Sequence, residues 1–85
     1  MEEHETLNRL EPGCGGMIEH LAVDGEQRRR LQDIGLIEGT RVLCLQRSPG
    51  GDPAAYQIRG AVIALRQDDT KQIYIRCDAA GNQRG

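Results

Sequence analysis

The stretch Asp24-Gly25-Glu26-Gln27-Arg28-Arg29-Arg30-Leu31-Gln32-Asp33-Ile34-Gly35-Leu36-Ile37-Glu38-Gly39-Thr40 decides the fold. It reads as one short helix that is started, stopped and turned into a strand. Asp24 is placed as an N-cap, because its carboxylate can accept from the free backbone N–H groups of a first helical turn. Gln27 follows three residues later, in capping-box position. Glu26 lies in the first turn, where the positive end of the helix dipole favours it. Glu26 with Arg30, and Arg29 with Asp33, are spaced for weak helix-surface ion pairs. Leu31 and Ile34 supply the inward face. Gly35 stops the helix, since glycine enters the left-handed conformation cheaply and that conformation closes a Schellman cap. Leu31 and Leu36 are then the apolar pair that accompanies such a cap. Ile37 to Thr40 reads as a type II turn, with Gly39 supplying the positive φ.

Working outward, the rest of the chain reads as short strands. Leu7 and Leu10 share one side of a helical turn over 6–10, which Pro12 and the glycines after it break. Residues 17–23 form a strand whose apolar positions do not alternate strictly, so a bulge or corner is expected there. Thr40 to Arg47 is a strand. Ser48-Pro49-Gly50-Gly51-Asp52-Pro53 is a loop, because prolines cannot donate to a ladder and glycines weaken one. Ala55 to Arg59 and Ala61 to Arg66 are two strands joined at Gly60 by a bend or tight hairpin. Tyr56 and Ile58 share a face of the first, and Ala61, Ile63 and Leu65 a face of the second. Residues 67–72 form a helical turn. Ile73 to Cys77 is the last strand, with Ile73, Ile75 and Cys77 inward. The reading is all-β with one short α-helix. Five strands curled into a small barrel leave fewer exposed edges than an open sheet would.

The 85 residues allow one domain, predicted over 6–77. Residues 1–5 read as a solvated acidic tail, and residues 78–85 as a flexible one. At this size folding buries only roughly 60–65% of the surface that the unfolded chain exposes. With no Phe or Trp, the core must be aliphatic, Met17 included. The net charge of −2 gives no electrostatic footprint for nucleic acid. No run approaches the ~20 apolar residues of a spanning helix, and the N-terminus lacks the pattern of a signal peptide. The three cysteines are odd in number and widely spaced, unlike a secreted disulfide framework. A cytoplasmic location without membrane insertion is expected.

Candidate chemistry is sparse. His4, His20, Cys14, Cys44 and Cys77 include no close ligand pair of the kind a structural zinc site uses, so no metal site is expected. Cys44 and Cys77 read as small buried hydrophobes. Ser48 lies in a Pro-Gly loop, not in a nucleophile elbow. Glycine-rich phosphate-binding patterns are absent, and Asp68-Asp69 reads as a solvated turn. No catalytic residue and no cofactor are expected. Arg28, Arg29 and Arg30 point about 100° apart around a helix, so they form a solvated face of which one or two members could meet a partner. Arg59 and Arg66 bracket the fourth strand and carry the same pair of readings.

At this point the residues resemble a known family. Arg30 to Thr40 is similar to the R-L-x-x-(hydrophobic)-G-L-x-x-G-T signature of ferrous iron transport protein A, FeoA. Pro49 to Pro53 resembles its P-x-G-D-P loop. Arg59-Gly60 with Ala64-Leu65-Arg66 resembles its R-G-x-x-x-A-L-R segment. Glu38 stands where the family commonly has proline, and Ala61 where tyrosine is frequent. The resemblance runs from Leu7 to Ile75. It implies an SH3-like barrel in the cytosol that assists the membrane transporter FeoB by binding its GTPase domain rather than by catalysis; a monomer or weak homo-oligomer is expected.

The candidate partner surface is therefore Arg28, Arg29, Arg30, Pro49, Gly50, Gly51, Asp52, Pro53, Arg59 and Arg66, with Gly35, Gly39 and Gly60 as structural turns. The alternative is a transition-metal-binding or metal-sensing module, since the resemblance extends to the C-terminal domain of metal-dependent repressors.

Overall fold

In the computed structural model, which describes residues 3–78, the core is wrapped by one antiparallel sheet. Strands β1 (Glu3–Thr6), β2 (Gly15–Leu21), β3 (Arg41–Arg47), β4 (Ala54–Ile58), β5 (Ala61–Leu65) and β6 (Ile73–Cys77) stand in the order β1-β6-β2-β3-β4-β5. A 3₁₀ turn (Leu7–Arg9), helix α1 (Gly25–Asp33) and the single-turn helix α2 (Gln67–Thr70) complete it. Among the described residues, no helix is long and apolar enough to cross a membrane.

The alternation of apolar residues places the core. Val42 and Cys44 of β3, Ala54, Tyr56 and Ile58 of β4, Leu65 of β5, and Ile73 and Ile75 of β6 are all buried. Leu7 and Leu10 close the cluster from the 3₁₀ turn, and Leu31 and Leu36 from α1 and its exit. Tyr56 is the single aromatic side chain of this core, and its hydroxyl hydrogen-bonds Thr70 of α2. Met17, expected inside, is only half-buried. On β5 the inward positions fade from buried Leu65 through half-buried Ile63 to exposed Ala61, because the core thins toward the hairpin tip.

Ile18 and Leu21 are both buried although three residues apart. A regular strand would send them to opposite faces. Between Ile18 and His20 the register against β6 shifts by one residue, so a bulge at Glu19 restores the phase. A second bulge, at Leu45 between Cys44 and Gln46, has no signal in the sequence.

The strand count, the closure of the barrel and the start of the C-terminal tail need correction. The predicted five strands are six, because Glu3–Thr6 is a strand and not a solvated tail. It runs antiparallel to β6, with Glu3 opposite Cys77 and Thr6 opposite Tyr74. An edge strand can be polar where backbone pairing and side-chain contacts hold it. Here His4 Nδ1 lies 2.7 Å from Glu19 Oε1, and Glu5 pairs with Arg9 at 3.0 Å. The barrel is open: β1 and β5 are the two ends of the sheet order and do not pair with each other. Asp78, assigned to a flexible tail, is fixed. Its N–H donates to Gly15 O at 3.0 Å, and its carboxylate takes two bonds from Arg41. The remaining tail residues, 1–2 and 79–85, lie outside the described residues.

Helix α1 ends as its sequence dictates. Leu36 N donates to Leu31 O at 3.0 Å and Gly35 N to Gln32 O at 3.0 Å, the two bonds of a Schellman cap, with Gly35 at φ +109°. The type II turn follows, closed by Thr40 N to Ile37 O at 3.0 Å with Gly39 at φ +90°. Ile34, expected inward, is 37% exposed, since the cap brings Leu36 into its place. The start of α1 differs. Asp24 occupies the N-cap position but its carboxylate makes no capping bond, and the helix begins at Gly25 with φ +61°.

Candidate functional site

The loop after β3 is more ordered than its composition implies. Arg47 anchors the strand end, donating to Asn8 O at 2.8 Å and Leu10 O at 2.6 Å. A turn then forms at Ser48-Pro49-Gly50-Gly51, closed by Gly51 N to Ser48 O at 2.7 Å. Pro at its second position fits a turn of this kind. Ser48 N also donates to Pro53 O at 3.1 Å, which closes the whole loop at its base. From the far side, Asp52 Oδ1 accepts the backbone N–H of Gln67 at 2.8 Å. The loop is thus tied to its own base, to the 3₁₀ turn and to α2.

Helix α1 is tied to the same short helix. Asp69 Oδ1 accepts from Gln27 Nε2 at 3.1 Å and lies 3.4 Å from Arg30 Nη2. These bonds replace the expected i,i+4 pairs: Arg30 turns to α2 instead of to Glu26. Gln27, expected to cap α1, reaches α2 instead. The α2 turn therefore joins the loop to α1, while the Tyr56–Thr70 bond fastens it to the core.

The three arginines of α1 diverge. Arg28 is half-buried and donates to Leu21 O at 3.2 Å, a structural role. Arg29 is exposed, and Arg30 is exposed but engaged with Asp69. Pro49, Gly50 and Asp52 are exposed, Gly51 and Pro53 half-buried, with Gly51 at φ +92°. Arg66 follows β5 directly, beside the loop, since Leu65 stands opposite Ala54. Arg59 does not join this group. It sits at the opposite end of the β4–β5 hairpin, in the turn, beyond about 17 Å of extended chain from Ala61 to Arg66. There Arg59 and Gly60, at φ +53° and +86°, form a two-residue turn of the type I′ kind. A Cβ on Gly35 would lie 3.5 Å from Arg59 Cδ, so the arginine stem passes the C-terminal end of α1.

A cleft of about 250 Å³ opens near this tip, lined by Arg41, Val42, Leu43, Gln57, Arg59 and Gly60. Sequence reasoning missed this cleft, and missed Asp69 as the joint of the surface. Asp69 lies 42 residues from Gln27, and no local pattern links them.

Electrostatics add little chemistry. Burial pushes the Cys44 thiol up from its ordinary value, so it stays protonated at neutral pH. Burial likewise pushes the Tyr56 phenol up. Cys44 is buried, and Cys14 and Cys77 are half-buried. Among the described residues, no three His, Cys, Asp or Glu side chains gather to hold a metal ion.

Comparison with known proteins supplies the context. No curated protein sequence matches the chain. Among solved structures, iron(II) transport protein A from Clostridium thermocellum is 32% identical, with a TM-score of 0.82, over 85% of this chain and 44% of that one. This chain thus spans under half the length of that relative. FeoA from Stenotrophomonas maltophilia, solved with zinc and described as an SH3 domain protein, is 28% identical, with a TM-score of 0.71. That match covers 88% of this chain and 91% of that one. A manganese-dependent transcriptional repressor is 18% identical, with a TM-score of 0.80, over 88% of this chain and 41% of the repressor, a likeness of fold alone. The mostly β, SH3-like architecture follows from these likenesses and from the sheet described above. The family model of the FeoA domain matches residues 5–77, and the chain belongs to that family.

Proposed function

We propose that this protein is a cytoplasmic accessory of bacterial ferrous iron uptake that binds the cytosolic GTPase part of a FeoB-type membrane transporter and modulates it. It acts by binding, not by catalysis. The observation that carries the reading is the loop Ser48–Pro53, held at its base and by Asp52. A loop already ordered loses little entropy on docking. The docking surface is this loop with Arg66 beside it, α2, and the exposed Arg29 and Arg30 of α1. Arginine stems can bury apolar length while keeping charge for an acidic counterpart. With no covalent chemistry of its own, the protein alters transport through different affinities for two transporter states.

Titration of the isotopically labelled protein with the transporter's cytosolic domain tests this. Amide shifts centred on Ser48–Pro53 and α1 are expected. Shifts confined to the β1–β6 side would remove the surface, as would none at about millimolar concentration, where binding is worth only ~4 kcal/mol.

A metal-binding or metal-sensing role is the second reading, favoured by the zinc complex of the Stenotrophomonas relative. Within one molecule the described residues offer no three-ligand set for it. Equilibrium dialysis with Fe(II), run beside the titration, separates the two.

A further inference from the structure

Strand β5 is the last in the sheet order, and among the described residues nothing pairs with its outer side. The two-residue turn Arg59–Gly60 makes Ile58 and Ala61 the first hydrogen-bonded pair of the hairpin. Pairing then alternates, so Tyr56–Ile63 and Ala54–Leu65 are bonded, and the N–H and C=O groups of Val62 and Ala64 point away from β4. Proteins usually blunt such an edge with charge, proline or a bulge. The other edge, β1, carries Glu3, His4 and Glu5. Strand β5 reads Ala-Val-Ile-Ala-Leu, with no charge, no proline and unbroken register.

The outer face next to this edge is mixed, with Val62, Ala64 and Ala55 beside the polar Gln57 and Gln46. Val62, 65% exposed, stands across from Gln57 and then Leu43, while Ala64 stands across from Ala55. An arginine lies at each end, and the Arg66 end also carries the carboxylates of Asp52 and Asp68. Arg59 and Gly60 with Arg41 border the cleft at one end, and Arg66 lies at the other. Arg41 is engaged by Asp78, whereas Arg59 and Arg66 have no ion-pair partner among the described residues.

We infer that the free edge of β5 receives an extended segment of a partner protein, apolar in its middle and carrying carboxylates at both ends, which adds to the sheet as a seventh strand. The Val62 and Ala64 backbone groups would supply main-chain bonds, and the exposed Val62 side chain the apolar contact. Arg59 and Arg66, at the two ends of about 17 Å of extended chain, would meet the two acidic ends. A second copy of this chain fits the edge poorly. Antiparallel pairing of β5 with β5 through Val62 and Ala64 sets each Arg66 beside the Arg59–Gly60 turn of the other copy, and like charges so placed repel. The inference does not rest on the transporter reading: the two share Arg66, but the loop and α1 take no part in the added strand.

The test uses the intact protein and a short synthetic peptide of alternating valine and threonine with a glutamate pair at each end. Its counterpart carries lysine pairs. The glutamate-ended peptide should slow amide hydrogen exchange at Val62 and Ala64 and bind about tenfold tighter than the lysine-ended one at low salt. Ala64→Pro removes one outward N–H at an edge position where proline is tolerated, so the fold should remain and binding should fall away. Should that variant fail to fold, the double charge reversal Arg59→Glu with Arg66→Glu remains, and it should invert the preference between the peptides. Equal binding of the two peptides, or binding without protection of Val62 and Ala64, would overturn the inference. So would a dimer of the free protein that Ala64→Pro dissolves, which would assign the edge to a second copy.

Discussion

The carboxylate of Asp52 accepts the backbone N–H of Gln67 at 2.8 Å, and this bond fixes where the loop Ser48–Pro53 stands relative to α2. Gln67 is the first residue of that helix, so its N–H has no partner within the helix. Asp52 acts from outside as a cap would. Asp52→Ala should lower stability by about 1 kcal/mol, the usual worth of a capping bond, and should speed amide exchange at Gln67. Asp52→Asn should retain most of the stability, since its side-chain oxygen can still accept. Unchanged exchange at Gln67 in the alanine variant would show that the loop is held by something else.

Gly35→Val should lower stability by about 2 kcal/mol or more. The position needs φ +109°, which a β-branched side chain adopts at high cost. The added Cβ would also lie 3.0 Å from Ile58 Cγ2, in the core. Both effects act in the same direction, and denaturant unfolding would read their sum. An unchanged midpoint with an unchanged slope would contradict the cap.

Gly16→Ala tests a different use of glycine. Its backbone is ordinary strand, but a Cβ there would meet Arg76 O at 2.7 Å. The obstacle is backbone, which cannot swing aside as a side chain does. Strands β2 and β6 must then part, at a cost of about 1–3 kcal/mol. Amide exchange at β6 should accelerate more than exchange at β4. A uniform change across the sheet would place the damage elsewhere.

What the sequence makes legible follows from where the constraint is local. The exit of α1 is written in Leu31, Gly35, Leu36 and Gly39, because a left-handed cap and a type II turn each demand particular residues within a few positions. The bulge of β2 is legible for the same reason: Ile18 and Leu21 cannot both face inward without it. Strand β1 is not legible, because its pairing with β6 uses backbone groups that every residue has. The roles of Gln27 and Asp69 are hidden too. Gln27 fits a capping box by spacing, and only the folded chain shows that Asp69, in an acidic turn, draws it away. The free edge of β5 needs the sheet order before it can be seen at all.

Arg41 and Asp78 predict a pH dependence. Arg41 Nη1 and Nη2 donate to the two Asp78 oxygens at 2.8 and 2.7 Å. The bonds from the guanidinium hold the Asp78 carboxyl below its ordinary range, with burial a weaker opposing effect. In the unfolded chain the group returns to about 4. The folded value is the lower one, so the unfolded chain binds more protons between the two values. The pair's stabilisation is therefore fully present above the unfolded value and is lost as pH falls through the folded one. Arg41, held above its ordinary value, stays charged throughout this window. The pair is partly exposed, so its worth is about 0.5–1 kcal/mol and shrinks in salt. Asp78→Asn should thus melt below the unsubstituted protein at pH 7, and the gap should close as pH is taken from about 4 downward. A gap that persists unchanged to pH 2 would show that the difference does not come from the charged pair with Arg41, since both proteins keep the backbone bond from residue 78 to Gly15.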